Sequence, residues 1–330
     1  GKDAASPRYI FTRLSEHASK LFVKADDPIL EYLDDDGQKI EPKYFVPTLP
    51  LILINGGEGI GTGYSSSVPS YNPDDIKKMV SCMLKGKSDV DDIHPWYPKF
   101  KGTIAPTGEG SYQVTGCYNL KAGTLEITEL PIGKWTNDYK EFLDSLVDTK
   151  IVNYENHSTE DTVYFKIRMN TAQLTHEKIL KDFKLTGSIN TTNMHLFDAK
   201  GNIKKYSSPK EIVKDFIDVR LHHYDLRKKH QLKKMSLELN VLTQKINFIR
   251  LIVNEELIIY KKKKDVIVSE LKKRKFGMVD GGYDYLLKME LYNLTDEKIN
   301  ELDTAHKKTK LALDTLEQTS IQDLWLQDLA

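Results

Sequence analysis

The chain is poor in cysteine, in long apolar runs and in net charge. Its 330 residues include two cysteines, Cys82 and Cys117, which indicates an intracellular protein without a disulfide framework. No apolar run reaches the length of about 18 residues that a membrane span needs, so we expect no membrane partner. The 48 basic and 48 acidic side chains balance, which argues against nucleic-acid binding unless the charges are segregated.

Sequence signatures for metal and nucleotide sites are also absent. No Cys or His spacing matches zinc, and no Gly-x-x-x-x-Gly-Lys-Ser/Thr loop occurs. The acidic run Asp34–Asp36 is followed by Gly37, which predicts a hairpin turn and not a metal site. The glycine block 56–63 fails the dinucleotide fingerprint, because Thr62 or Tyr64 stands where the last glycine belongs. The chain opens at Gly1 without methionine, and we expect it to be a piece of a longer protein.

What the sequence does contain, near its start, is an arginine beside a tyrosine. The run Asp3-Ala4-Ala5-Ser6-Pro7-Arg8-Tyr9 leads into this pair with small residues. A tyrosine hydroxyl is a poor nucleophile near neutral pH, but a neighbouring guanidinium favours the phenolate and holds two phosphate oxygens through its fork of donors. Arg8 and Tyr9 are therefore chemically suited to attack a phosphodiester. The competing interpretation is an ordinary surface charge beside a half-buried ring.

A second candidate is the isoleucine within the glycine block, which reads Gly56-Gly57-Glu58-Gly59-Ile60-Gly61-Thr62-Gly63. Glycines permit a tight hairpin, and Ile60 would then lie at its tip with no neighbour to bury it. One interpretation is an isoleucine folded back onto the core. The other is an apolar wedge that enters a base stack and kinks the duplex.

The fold class we predict is α+β, in three consecutive parts. Residues 1–48 hold a predicted helix over Ser15–Phe22 and a hairpin about Asp34–Asp36, and resemble the end of a winged-helix domain. Residues 49–206 alternate short strands and helices, which predicts an antiparallel sheet covered by helices. The pattern predicts an amphipathic helix over Pro73–Leu84 and strands at residues 103–104, 112–114, 124–128 and 163–167. Residues 207–330 predict a long antiparallel coiled coil with a small helical tip. Its heptad positions are Met235, Leu239, Leu242, Ile246, Ile249 and Val253, then Ile299, Leu302, His306, Thr309, Leu313 and Leu316.

Four blocks of sequence carry a resemblance to a known family. They are Gly1–Leu14, Pro47–Ser65, His94–Tyr97 and Leu125–Pro131, and their order and spacing extend over most of the chain. The first two blocks are the specific ones. Together they resemble the type IIA DNA topoisomerases, and the eukaryotic topoisomerase II branch is the most similar. This resemblance implies a DNA-cleavage core that runs from the active-site tyrosine through a tower domain to a coiled-coil arm and exit gate.

The resemblance also implies roles for individual residues and for partners. Tyr9 would form a transient 5′-phosphotyrosyl bond with Arg8 stabilising the phosphate, and Ile60 would intercalate. Lys2 and Ser6 lie close to Tyr9 in the sequence, so we expect them to contact phosphate. Double-stranded DNA would be the substrate, and a homodimer would form through the coiled-coil tip. Mg²⁺ and ATP would serve the full-length enzyme from domains outside this chain. The protein would be nuclear if cellular, or viral and active in an infected cell. The alternative function is a non-catalytic, DNA-clamping coiled-coil scaffold.

Overall fold

The computed structural model describes residues 6–87, 89–121, 123–170 and 174–330. Lys2 lies outside these ranges. The chain divides into two compact units. The first consists of residues 1–22 and 47–220 with Leu329, and the second of residues 23–46 and 221–328 with Ala330. Within the described ranges, every helix is too short or too polar to cross a lipid bilayer.

The described part of each unit contains both helices and strands. The α-helices are α1 (Ala18–Leu21), α2 (Leu51–Asn55), α3 (Pro73–Leu84), α4 (Thr136–Asp144), α5 (His176–Asp182), α6 (Pro209–Val253), α7 (Lys264–Lys273), α8 (Asp284–Leu287), α9 (Asp296–Gln318) and α10 (Ile321–Asp328). The strands are β1 (Tyr32–Asp35), β2 (Gln38–Pro42), β3 (Gly57–Gly61), β4 (Tyr64–Val68), β5 (Thr103–Gly108), β6 (Ser111–Thr115), β7 (Cys117–Lys121), β8 (Thr124–Glu129), β9 (Ile151–Asn156), β10 (Phe165–Met169), β11 (Thr186–Asn190), β12 (Met194–Phe197) and β13 (Ile203–Tyr206). Three 3₁₀ turns cover Pro7–Tyr9, Lys24–Ile29 and Leu291–Asn293.

The first unit is built on antiparallel sheets, as the sequence predicts. One sheet has the strand order β7-β8-β10-β9 and another the order β11-β6-β5. Phe165, Ile167 and Met169 alternate with exposed residues along β10, so a single face of the sheet is buried. Helices α4 and α5 cover that face and contribute buried side chains such as Tyr139 and Ile179 to the same core. The predicted mixed α+β class is confirmed.

Helix α3 shows how local sequence fixes an element. Asn72 precedes it, and its side-chain oxygen accepts a hydrogen bond from the Asp74 amide at 2.9 Å. Pro73 occupies the first turn, where a missing N–H costs nothing. Ile76, Met79 and Val80 recur at helical spacing and are buried. The predicted helix and the observed one coincide from Pro73 to Leu84.

The second unit contains the predicted antiparallel helical arm. Helix α6 has 45 residues and is therefore about 68 Å long. Its distal half packs on α9 through an apolar cluster of Ile246, Ile249, Ile299 and Leu302. An ion pair of 2.8 Å between Arg250 and Asp303 lies beside this cluster. Both predicted heptad runs fall on these two helices, and their pairing is confirmed.

The segment between α6 and α9 forms a small helical core of its own. Leu271 of α7 and Leu286 of α8 are fully or almost fully buried, together with Phe248 and Phe276. The Tyr283 hydroxyl donates to the backbone carbonyl of Phe276 at 3.1 Å, which satisfies a polar group inside this cluster. The arm thus carries a folded helical piece and not an extended loop.

The early part of the chain agrees with its prediction in one place and corrects it in another. Strands β1 and β2 form the predicted hairpin, and Asp34 Oδ1 accepts from the Gly37 amide at 3.0 Å in its turn. The helix predicted over Ser15–Phe22 is only the single turn α1, and no side chain caps it. It stops short because it buries no residue, so packing does not add to its weak local propensity.

Candidate functional site

The Arg-Tyr pair lies on an open turn. The 3₁₀ turn Pro7–Tyr9 closes through a hydrogen bond of 3.0 Å from the Tyr9 amide to the Ser6 carbonyl. The Tyr9 side chain is 78% exposed, and the Arg8 side chain is exposed beside it. Arg8 Cζ lies 5.9 Å from the centroid of the Tyr9 ring. The phenolic oxygen is therefore reachable by a large substrate, with a guanidinium close by.

The chain that follows Tyr9 is also open. Ile10, Phe11 and Leu14 are large apolar side chains, and Phe11 and Leu14 have almost no cover. Apolar side chains that cluster on a surface are typical of a contact region. Of the two phosphate-contact candidates near Tyr9, Ser6 is exposed, and Lys2 lies outside the described residues.

The glycine block forms the predicted hairpin. Strands β3 and β4 pair in register around a turn at Thr62 and Gly63, with Ile60 opposite Ser65. Ile60 is 94% exposed, so in the described structure it is not folded back onto a core. Its position differs slightly from the prediction, because it lies within β3 and not in the turn itself. The outcome is a single apolar side chain projecting from a narrow ribbon.

Two glycines of the hairpin are needed where they stand. A Cβ on Gly61 would come within 2.7 Å of the Tyr64 ring, which packs over it. Gly56 has a φ of +68°, and a Cβ there would lie 2.9 Å from the Val68 carbonyl oxygen. A side chain at Gly56 would strain the backbone, whereas one at Gly61 would displace the Tyr64 ring. These two glycines therefore set the backbone path into the hairpin and the position of the Tyr64 ring.

A cleft of about 680 Å³ lies at the root of this hairpin. Its lining is mostly amide and hydroxyl side chains, and Glu58 is its charged residue. Burial raises the pKa of Tyr97 at its edge, and Glu58 adds to the rise. With no lysine or arginine in its lining, the cleft is not suited to hold a phosphate group.

A second cleft has the opposite character. It encloses about 360 Å³ and is lined by Lys134, Lys181 and Lys184 together with Glu177 and neutral residues. Burial lowers the pKa of Lys134, and the nearby charge of Lys184 lowers it further. Lys134 Nζ also donates to the backbone carbonyl of Lys184. Such a group of lysines is stabilised by an anion and fits a phosphate backbone.

The described residues show no cluster of three or more His, Cys, Asp or Glu side chains that could hold a metal ion. The run Asp34–Asp36 lies at the β1–β2 turn, where the Asp34 carboxylate accepts a hydrogen bond from the Gly37 amide. Cys82 and Cys117 are both free thiols.

Sequence reasoning missed two groups of residues in this region. One is the lysine cleft, whose members come from the loop after β8 and from α5 and its end. The other is Asn193 and His195, which contact the hairpin from more than 120 positions away. No local pattern marks either group, because each is assembled only by the tertiary fold.

Comparison with known proteins identifies the family of this chain. The family of A-type subunits of DNA gyrase/topoisomerase IV matches residues 1–330, and the chain belongs to this family.

Two relatives and one solved structure are highly similar. DNA topoisomerase 2 of Plasmodium falciparum (isolate K1 / Thailand) is 39% identical over 371 residues, and that of Arabidopsis thaliana is 40% identical over 381. Each alignment covers 100% of this chain and 26% of the relative, so the chain spans about a quarter of their length. The crystal structure of the Plasmodium falciparum topoisomerase II DNA-binding, cleavage and re-ligation domain matches with 40% identity and a TM-score of 0.86. That match covers 100% of this chain and 49% of the other.

Proposed function

We propose that this chain is the DNA breakage-and-rejoining core of a type IIA topoisomerase, an ATP-dependent isomerase when full length. The observation that carries the proposal is the open position of Tyr9 beside Arg8. It occurs in a chain whose whole length aligns with a domain described as binding, cleaving and re-ligating DNA. The substrate is double-stranded DNA, and the protein acts in the nucleus of its cell or, if viral, in an infected cell.

The chemistry is a reversible transesterification. Tyr9 Oη attacks a DNA phosphorus, a bond to the 5′ phosphate forms, and the bond to the 3′ oxygen breaks. The proton lost by the phenol is balanced by the one gained at the 3′ hydroxyl. The ester bond is exchanged and not hydrolysed, so religation is the same step reversed. Arg8 stabilises the negative charge that crowds the phosphate in the transition state.

Mg²⁺ and ATP belong, in this proposal, to other parts of the full-length protein. A divalent metal ion supplies charge relief to the leaving 3′ oxygen. The described residues offer no carboxylate cluster that fits such an ion, so no step is assigned to one here.

The parts of the chain take distinct roles in the proposal. Residues 1–48 end a winged-helix domain and carry Tyr9, with Lys2 and Ser6 contacting phosphate. Residues 49–206 form a tower domain that supports the duplex, and its lysine cleft offers further phosphate contacts. Residues 207–330 form the arm, whose tip joins two copies of the chain.

A homodimer is part of the proposal because two strands must be cut together. Support comes from apolar side chains that the second unit leaves exposed near the end of α6 and beyond it, including Ile258, Tyr260, Met278 and Tyr292. Sedimentation of the full-length protein tests this point. We expect the mass of two copies, and a monomer at micromolar concentration would contradict it.

The direct test of the proposed activity is covalent capture of DNA. Full-length protein is incubated with duplex labelled at either the 5′ or the 3′ end, and the products are run on a denaturing gel. We expect protein attached to 5′ ends and free 3′ hydroxyls. A DNA-clamping scaffold would bind the duplex and leave both strands intact.

Ile60→Ala should reduce the bend that the protein imposes on DNA. An apolar wedge between base pairs kinks a duplex by about 20–90°, and alanine is too short to hold the step open. Fluorescence transfer between dyes at the two duplex ends measures the bend. Ile203→Ala is the matched control, because Ile203 is 50% exposed on a different strand. An unchanged bend in Ile60→Ala would remove the wedge from the proposal.

A further inference from the structure

The β3–β4 hairpin, the ribbon that carries Ile60, has a composition that gives it little stability of its own. Strand β3 alternates glycine with Glu58 and Ile60, and β4 contains three consecutive serines, Ser65–Ser67. Glycines in a strand have no side chain to pack, and an isolated two-stranded ribbon is at best marginally stable in water. Something outside the hairpin must hold it in a fixed direction.

The support comes from the start of β12. The Ser67 amide donates to the Asn193 carbonyl at 2.8 Å, and Asn193 Nδ2 donates to Ser65 Oγ at 2.8 Å. Ser66 Oγ donates to the His195 carbonyl at 2.7 Å and accepts from the His195 amide at 3.2 Å. Three consecutive residues of β4 are thus each fixed to one short segment.

This segment connects the hairpin to the interior of the first unit. Met194, between the two contacting residues, is fully buried. Strand β12 also pairs with β13, from Met194 opposite Tyr206 to Phe197 opposite Ile203. The hydrogen bonds to β4 therefore start from backbone that is itself held in place.

The contact made by the Asn193 side chain is the one nearest to the wedge. Ser65 is the residue directly opposite Ile60 in the β3–β4 register. A hydrogen bond to Ser65 consequently fixes the strand position across from Ile60. A second contact involves the neighbouring pair of the register, Gly61 and Tyr64. The Tyr64 ring packs over Gly61, and its centroid lies 6.2 Å from the centroid of the His195 ring.

We infer that Asn193 is a positioning residue for Ile60. A wedge that enters a base stack meets the cost of unstacking, and a ribbon free to tilt would be pushed aside. By fixing Ser65 to the buried start of β12, Asn193 holds Ile60 in its inserting direction before DNA arrives. The inference rests on the proposed function, since it assumes that Ile60 bends DNA.

Asn193→Ala in the full-length protein tests the inference. The variant keeps the backbone carbonyl that accepts from Ser67 and removes only the amide that reaches Ser65. The loss of one neutral hydrogen bond should lower the ratio of bent to straight complexes about 2- to 10-fold in the end-to-end transfer assay. Asn190→Ala is the matched control, because Asn190 lines the same cleft and contacts Ser111 instead.

A second variant and a second DNA separate positioning from simple damage to the fold. Ser65→Ala removes the same hydrogen bond from the exposed side and should reproduce the Asn193→Ala result. A duplex with a nick at the bend needs less force to kink, so it should restore the bend with both variants. A misfolded protein would not be rescued by a more flexible substrate.

The outcomes distinguish the inference from the function beneath it. If Ile60→Ala bends DNA like the unaltered protein, the wedge itself is wrong. If Ile60→Ala removes the bend and Asn193→Ala keeps it, the positioning role is wrong. Adding Asn193→Ala to Ile60→Ala should cause no further loss, because the residue to be positioned is gone. A further loss of the same size would also overturn the inference.

Discussion

Tyr9→Phe in the full-length protein is expected to abolish covalent attachment to DNA. The substitution removes one oxygen atom from a ring that is already exposed, so the fold loses no packing. The nucleophile is lost entirely, and removing a catalytic nucleophile lowers rates by about 10⁴-fold or more. The measurement is the yield of protein-linked 5′ ends on a denaturing gel, with duplex binding followed in parallel.

Tyr44→Phe serves as the matched control for this substitution. Tyr44 is about half exposed, and its hydroxyl lies 3.5 Å from His223 Nε2. We expect this variant to cleave normally and Tyr9→Phe to retain duplex binding. Protein-linked ends in Tyr9→Phe at the unaltered level would assign the chemistry to another residue and refute the proposed function.

Arg227→Met should cost the second unit about 3–5 kcal/mol in free energy of unfolding, as expected when one partner of a buried ion pair is removed. Arg227 is 4% exposed and lies 2.8 Å from an Asp328 oxygen and 3.5 Å from an Asp26 oxygen. Burial by itself lowers the pKa of Arg227, but the two carboxylates outweigh it and the pKa is raised. Methionine fills similar space but takes this cation away from both carboxylates. Urea denaturation measures the loss.

Arg250→Met is the control for the buried pair. Arg250 pairs with Asp303 at the same distance of 2.8 Å, but the two side chains are 51% and 34% exposed. Water already solvates this pair, so its removal should cost about 1 kcal/mol or less. Equal losses of unfolding free energy in the two variants would mean that burial does not determine how much the Arg227 ion pairs stabilise the unit.

The sequence predicts the strands inside the two larger sheets and misses most of their edge strands. Strands β6, β8 and β10 have neighbours on both sides and were all predicted, together with the edge strand β5. Strands β7, β9 and β11 are edges of the same sheets and were not predicted. An edge strand faces water along one side, so polar residues interrupt its alternation, as in the mostly exposed β9.

Some residues of the candidate site belong to short local motifs, and others reach it from distant parts of the sequence. Arg8 and Tyr9 are adjacent, and Ile60 lies within a run of glycines, so one short motif reveals each of them. Their roles in catalysis and bending remain predictions. Asn193 joins the hairpin across 128 positions of sequence, and nothing near it marks that contact. Short motifs in the sequence therefore reveal the residues that we propose to act on DNA. The residues that position them are recognised only in the folded structure.

The lack of buried side chains around Tyr9 has a mechanical consequence. From Arg8 to His17 every residue is exposed, so among the described residues this stretch packs against no core. In the proposed function, a DNA end joined to Tyr9 would be connected to the sheets of the first unit through these exposed residues. A shift of that end would then require no change in the packing of those sheets.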